Sequence, residues 1–185
     1  RARLDRRELG CLAAAGALEG LAGHRHRAAW NVAGIEAPLP ILPQLRHAEG
    51  IPMLRAPREG EDIVADYART GLTLRRHPLA LLRARLETRG ILTAAQLRGM
   101  KQGATVRTAG LVITRQRPGS AQGVTFVTLE DETGYVNLIV WRNVADCQRQ
   151  ALIGYRLMGV AGELQLEGEV MKVIVNRIVE MTRWV

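Results

Sequence analysis

The stretch GVTFVTLEDETGYVNLIVW, residues 123–141, constrains the fold more than any other part of the chain. Apolar and polar residues alternate on both sides of an acidic segment ending in glycine, the pattern of two antiparallel strands and a tight turn. With Asp131 to Gly134 as the turn and Gly134 at its positive-φ position, Glu130 faces Tyr135, Thr128 faces Asn137 and Phe126 faces Ile139. Thr125, Val127 and Leu129 then share a face with Val136, Leu138 and Val140. That small, β-branched face is predicted to fill a core. Phe126, Thr128 and Asn137 fall on the opposite face, and Phe126 is the only phenylalanine in the chain.

The surrounding sequence supplies partners for this hairpin. TVRTAGLVITRQR, from Thr105, is β-rich, with Gly110 a candidate bulge. After the hairpin come a short helical stretch, RNVADCQRQAL, and two more strand patterns joined at Glu167-Gly168. Three strands, a helix and two strands are the order of an OB-fold, a five-stranded Greek-key barrel. Upstream, the periodicity is helical, so the fold class is α+β.

RRELGCLAAAGALEGLAGHRHRAAW reads as helices broken near Gly16 and Gly23, with Leu9, Leu12, Leu18 and Leu21 as the apolar stripe. Residues 34–60 hold five of the seven prolines and are expected to be a linker or extended segment. GEDIVADYARTG has acids in its first turn and a glycine after its last. In HPLALLRARLETRG, Pro78 opens a helix that buries Leu79, Leu82 and Leu86 and leaves Arg83, Arg85 and Arg89 wet. TAAQ, at 93–96, has capping-box spacing. The expected divisions are 1–33, a 34–60 linker, a 61–99 helical segment and a 100–185 barrel.

Charge selects the partner class. Lysine and arginine number 26 against 18 acids, a net charge of +8, which favours a polyanion. Lys101 and Lys172 are the only lysines. Arginine's planar fork suits phosphates and base edges, although a GC-rich genome also enriches arginine and alanine. Cys11 and Cys147 have neither zinc nor disulfide spacing, which points to the reducing cytoplasm. No signal peptide is visible and no apolar run reaches about 18 residues, so no membrane is expected. A chain starting at Arg1 on a helical pattern is expected to be a fragment of a longer one.

The outer face of strands 2 and 3 is where OB-folds bind oligonucleotides. Phe126 there offers a stacking platform, Asn137 a donor and an acceptor for a base edge, and Arg115 and Arg117 in the loop RQRPGSAQG two phosphate partners. The alternation alone equally allows Phe126 to pack beneath a helix and the arginines to be solvated.

TGLTLRRHPLALLRARL, followed by VRTAGLVITRQRPGSAQGVTFVTLEDETGYVNLIVW, closely resembles the C-terminal region of bacterial error-prone DNA polymerases. These are C-family enzymes, paralogues of the replicative polymerase III α subunit. Arg75-Arg76 before His77-Pro78-Leu79, the Arg-Pro-Gly-Ser loop and Trp141 point to the error-prone branch. The hairpin also resembles the anticodon-binding domain of aspartyl-type tRNA synthetases. There the phenylalanine matching Phe126 stacks on a base, and a glutamine stands where this chain has Asn137.

The resemblance implies that residues 1–33 end a helix-hairpin-helix region gripping duplex DNA, with Arg25 and Arg27 before Trp30. It implies a parent nucleotidyltransferase that copies past lesions during damage-induced mutagenesis and repair. Single-stranded template, primer-template duplex, a sliding clamp and mutagenesis accessory proteins would be its partners. Alternatives are the same region of a replicative α subunit and a standalone single-strand-binding module. Polymerase chemistry requires aspartates holding two metal ions. The family places these upstream, so Mg2+ belongs to the intact enzyme, and no catalytic residue, cofactor or metal is expected here. Glu130-Asp131-Glu132 is expected to be a solvated turn.

Overall fold

The computed structural model describes residues 4–35, 52–168 and 170–181. Pro38, Pro40 and Pro43 of the expected linker lie outside them. The chain divides into two units, Arg1–Arg75 and Arg76–Val185.

The first unit contains α1 (Arg6–Ala14), α2 (Glu19–Ala22), α3 (Arg25–Ala33) and α4 (Glu59–Thr70). Asp5 and Glu8 form a capping box that starts α1. The chain breaks at Gly16 and Gly23, both at positive φ, as the sequence suggests. The expected leucine stripe is not the core. Ala13, Ala22, Ala28 and Val32 are buried, Leu9 and Leu18 pack against them, and Leu21 is 88% exposed. Small residues let short helices approach closely, which moves the contact from the leucines to the alanines. Helix α4 ends at Gly71 in the left-handed conformation.

The second unit opens with α5 (Pro78–Glu87) and α6 (Ala94–Arg98), the latter started by the Thr93–Gln96 capping box. The strands are β1 (Thr105–Gln116), β2 (Thr125–Asp131), β3 (Gly134–Val140), β4 (Leu157–Glu167) and β5 (Val170–Glu180). They close into a barrel in the order β1-β2-β3-β5-β4, antiparallel except for β3 against β5. Helices α7 (Arg142–Cys147) and α8 (Arg149–Gly154) lie between β3 and β4 in sequence. The Gln148 side chain between them bonds both ways to the Ile178 backbone of β5.

The β2–β3 register is the one that alternation requires: Phe126 opposite Ile139, Thr128 opposite Asn137 and Glu130 opposite Tyr135. Val127, Leu129, Val136, Leu138 and Val140 are all at most 2% exposed inside the barrel. Each such side chain contributes about 1.5–3 kcal/mol by leaving water. Ala94 and Leu97 of α6, with Ala145 and Leu152 of α7 and α8, complete this core. Helix α5 packs outside it, through Leu79 and Leu86, on Ala109 and Leu111 of β1 and Leu157 of β4.

Gly110 is not the bulge. The extra residue of β1 is Ile113, between Val112 opposite Leu129 and Thr114 opposite Thr128. Gly110 serves close approach instead, because a Cβ there would lie 2.7 Å from the Leu129 Cβ and 2.8 Å from the Glu130 carbonyl oxygen. Among the described residues no helix is long and apolar enough to cross a membrane.

Candidate nucleic-acid interface

Four strands bring two parallel rows of side chains to one outer face of the barrel. Gln116, Phe126, Ile139 and Ile174 are successive cross-strand partners on β1, β2, β3 and β5. Thr114, Thr128, Asn137 and Lys172 form the adjacent row on the same strands. A shallow groove runs over this face, with Thr114, Gln116, Phe126, Asn137, Ile139 and Lys172 among its lining. One row is largely apolar, the other wholly polar.

Phe126 is 40% exposed, so its ring has Ile139 beside it and a surface open to solvent. Thr128 Oγ1 donates to Asn137 Oδ1 at 3.1 Å. That bond uses one of the two lone pairs of the amide oxygen, and the Asn137 NH2 group has no partner among the described residues. Lys172 closes the polar row, with its Nζ 2.7 Å from Glu167 Oε2. The hydrogen bond from Lys172, reinforced by its charge, holds the Glu167 carboxyl below the ordinary range.

The two loop arginines have different positions. Alternation turns Arg115 away from the face that carries Thr114 and Gln116. Its Nε donates to Leu152 O at 2.7 Å, and its Nη2 donates to Tyr155 O. These carbonyls close the end of α8, where a cation is favoured, and burial lowers the guanidinium pKa. Arg115 therefore holds a helix end beside the barrel while remaining exposed. Arg117 remains half exposed, 3.9 Å from Asp146, which also lies 3.4 Å from Arg142. Two cations around one carboxylate leave a net positive corner beside Trp141, itself 52% exposed.

In the helical unit, Arg25 is buried at 7% exposure. Its guanidinium meets Asp66, with Asp62 at 3.4 Å and Glu19 at 3.8 Å, and Arg75 bridges the same three acids. Burial alone would raise the Asp66 carboxyl, but hydrogen bonds from Thr73 and Arg25 hold it below its ordinary value. Arg25 is thus neutralised inside the unit and not presented to a duplex. Arg27 is exposed, its backbone N–H capped by His24.

The acidic turn is not solvated. Asp131 is 5% exposed. Its Oδ1 accepts from Thr133 N, Thr133 Oγ1 and Gly134 N at 2.7–3.0 Å, and its Oδ2 accepts from Ala94 N at 2.6 Å. Glu132 is paired with Arg83, which is correspondingly mostly buried and not wet. The turn therefore clamps α5 and α6 to the hairpin. Among the described residues no group of three or more His, Cys, Asp or Glu is arranged to hold a metal ion.

Thr114, Gln116, Ile139 and Lys172 join the face without having been singled out by the sequence. The alternation around them was readable, but the parallel β3–β5 pairing that delivers Lys172 spans about 35 residues and leaves no local mark.

Residues 106–181 match the tRNA_anti-codon family, described as an OB-fold nucleic acid binding domain. The whole chain is 53% identical over 184 residues to the error-prone DNA polymerase of Methylococcus capsulatus, covering 18% of that protein. It is 55% identical over 184 residues to the error-prone DNA polymerase of Alkalilimnicola ehrlichii, again spanning 18% of its length. Among solved structures, asparaginyl-tRNA synthetase from Pyrococcus horikoshii aligns with 49% of this chain and 22% of its own, at 23% identity and a TM-score of 0.42. The chain matches a C-terminal region of error-prone DNA polymerases that contains an OB-fold nucleic-acid-binding domain.

Proposed function

We propose, from the premise that this chain is the C-terminal part of an error-prone DNA polymerase, that its barrel holds single-stranded template DNA on the Phe126 face. The adjacent apolar and polar rows are the observation that carries this reading. Stacking needs an exposed ring, and base edges need donors and acceptors beside it. Phe126 provides the ring, and the Asn137 amide and Lys172 provide the polar partners. Arg117 and Arg142 add positive charge next to the row. Arg115 acts by holding α8 in place beside the face.

Base stacking tolerates any sequence, as a polymerase copying damaged template requires. Nucleotidyl transfer, its Mg2+ ions and their aspartates belong to other parts of the intact enzyme. In that enzyme we place the region in the cytoplasm, acting in damage-induced translesion synthesis and repair. In this reading exposed Arg27 meets the primer-template duplex, and a sliding clamp and mutagenesis accessory proteins complete the assembly.

The test is fluorescence anisotropy with oligothymidylate and with duplex of equal length, over a series of salt concentrations. Single strands should bind at low salt, and log affinity should fall against log salt with a slope near −0.7 per neutralised phosphate. Salt-independent binding, or none at low salt, refutes the proposal.

A further inference from the structure

A second basic groove lies on the barrel away from Phe126. It is lined by Arg89 and Ile91 after α5, Arg107 of β1, Gly159 and Ala161 of β4, and Arg177 of β5. Its geometry follows from the ladder. Ala161 is the cross-strand partner of Arg107 on one side and of Arg177 on the other. The two arginines therefore flank a strand that presents only a methyl group between them. With strands about 4.8 Å apart, their Cα atoms are about 10 Å from each other. Next along β4, the Met181 side chain lies over Gly159, so the low floor is the Ala161 position.

Helix α5 explains why the groove stops where it does. It covers Ala109, Leu111 and Leu157 of this same outer face and leaves the neighbouring Arg107–Ala161–Arg177 row bare. Arg107 and Arg177 are exposed. Neither has an ion pair or hydrogen bond from its side chain to any described residue. Other arginines of the barrel unit are engaged, Arg83 with Glu132, Arg115 with two carbonyls, Arg117 and Arg142 with Asp146. Two uncompensated guanidinium forks on either side of the Ala161 methyl, with apolar Ile91 and Val179 beside them, form a site for an anionic chain. A flexible phosphodiester chain has that chemistry.

We infer that the Arg107–Arg177 groove binds the sugar-phosphate backbone of a nucleic-acid strand, as a second contact separate from the stacking face. It carries no stacking ring, so it contributes charge and no base preference. Both sites use β1 and β5. From Lys172 to Arg177 along β5 is about 16 Å, short enough for one strand to reach both.

The experiment compares Arg107→Gln/Arg177→Gln with Arg69→Gln/Arg149→Gln, which removes the same charge from exposed sites elsewhere. Oligothymidylate affinity is measured against salt for each, alone and combined with Phe126→Ala, with thermal melting alongside. The groove pair should lower the magnitude of the salt slope by about 1.4, at 0.7 per lost phosphate contact. The reduction should persist in the Phe126→Ala background, with melting unchanged. Arg107→Lys/Arg177→Lys should keep most of the slope, and should the glutamine pair melt early, the single variants Arg107→Gln and Arg177→Gln replace it, each lowering the slope by about 0.7. An unchanged slope, or the same loss in the control pair, overturns the inference. A silent Phe126→Ala with a reduced slope in the groove pair would sink the stacking face and leave this groove standing.

Discussion

Replacing Phe126 by alanine separates a binding role from a packing role, and the structure supplies the magnitudes. Phe126 is 40% exposed, so about three-fifths of its surface is covered. Full burial of such a side chain is worth about 1.5–3 kcal/mol, so its removal should cost about 1–2 kcal/mol of fold stability. No closed cavity results, because the groove is open to water. Leu138, on the barrel side of the same hairpin, is 1% exposed, and Leu138→Ala should cost about 2–5 kcal/mol. Binding should reverse the order. Losing one stacking platform costs about 1–3 kcal/mol, which is about 5-fold to 150-fold in Kd. Leu138→Ala, assayed where it remains folded, should bind within about twofold of the parent chain. Urea denaturation gives the stabilities, and anisotropy with oligothymidylate gives the affinities. Should Phe126→Ala unfold as readily as Leu138→Ala while retaining its affinity, the ring is a packing residue and the stacking reading is wrong.

Two further outcomes follow from the clamp between hairpin and helices. Asp131→Ala removes the acceptor for three backbone N–H groups and one hydroxyl. It should cost about 3 kcal/mol in urea denaturation, and a loss under about 1 kcal/mol would show that water replaces the carboxylate. His77 caps α5 through Nδ1, which accepts from Leu79 N at 3.2 Å, while its Nε2 is buried without a partner. Burial pushes its pKa below the ordinary value, against the opposing pull of Glu130, Glu132 and Asp131, and Arg83 adds to the depression. The native state thus excludes a proton that the unfolded chain accepts near pH 6.5. Its contribution is complete above that pH and is lost as pH falls below it. Melting should therefore drop between pH 7.5 and 5.5 by more in the parent chain than in His77→Asn, which keeps a capping oxygen. Equal drops in both would exclude His77 as the cause.

The sequence by itself determined the β2–β3 hairpin, its register and its two faces, because alternation and turn chemistry act within the 19 residues of one stretch. It also determined the start of α6 at Thr93 and the end of α4 at Gly71, since caps are made by residues within a few positions of each other. Tertiary structure decided where each charge went. Nothing local distinguishes Arg115, bonded to the carbonyls at the end of α8, from Arg117, beside Asp146, or Arg25, buried among carboxylates, from exposed Arg27. Asp131 and Arg83 read as solvated until the fold brings α5 and α6 against the turn. The partners of a charged side chain can lie dozens of residues away, and the energy of an ion pair depends on a distance and a burial that sequence spacing does not encode. The same holds for Lys172, which reaches the Phe126 face only because barrel closure pairs β5 with β3, and for Arg107 and Arg177, which become neighbours only across β4.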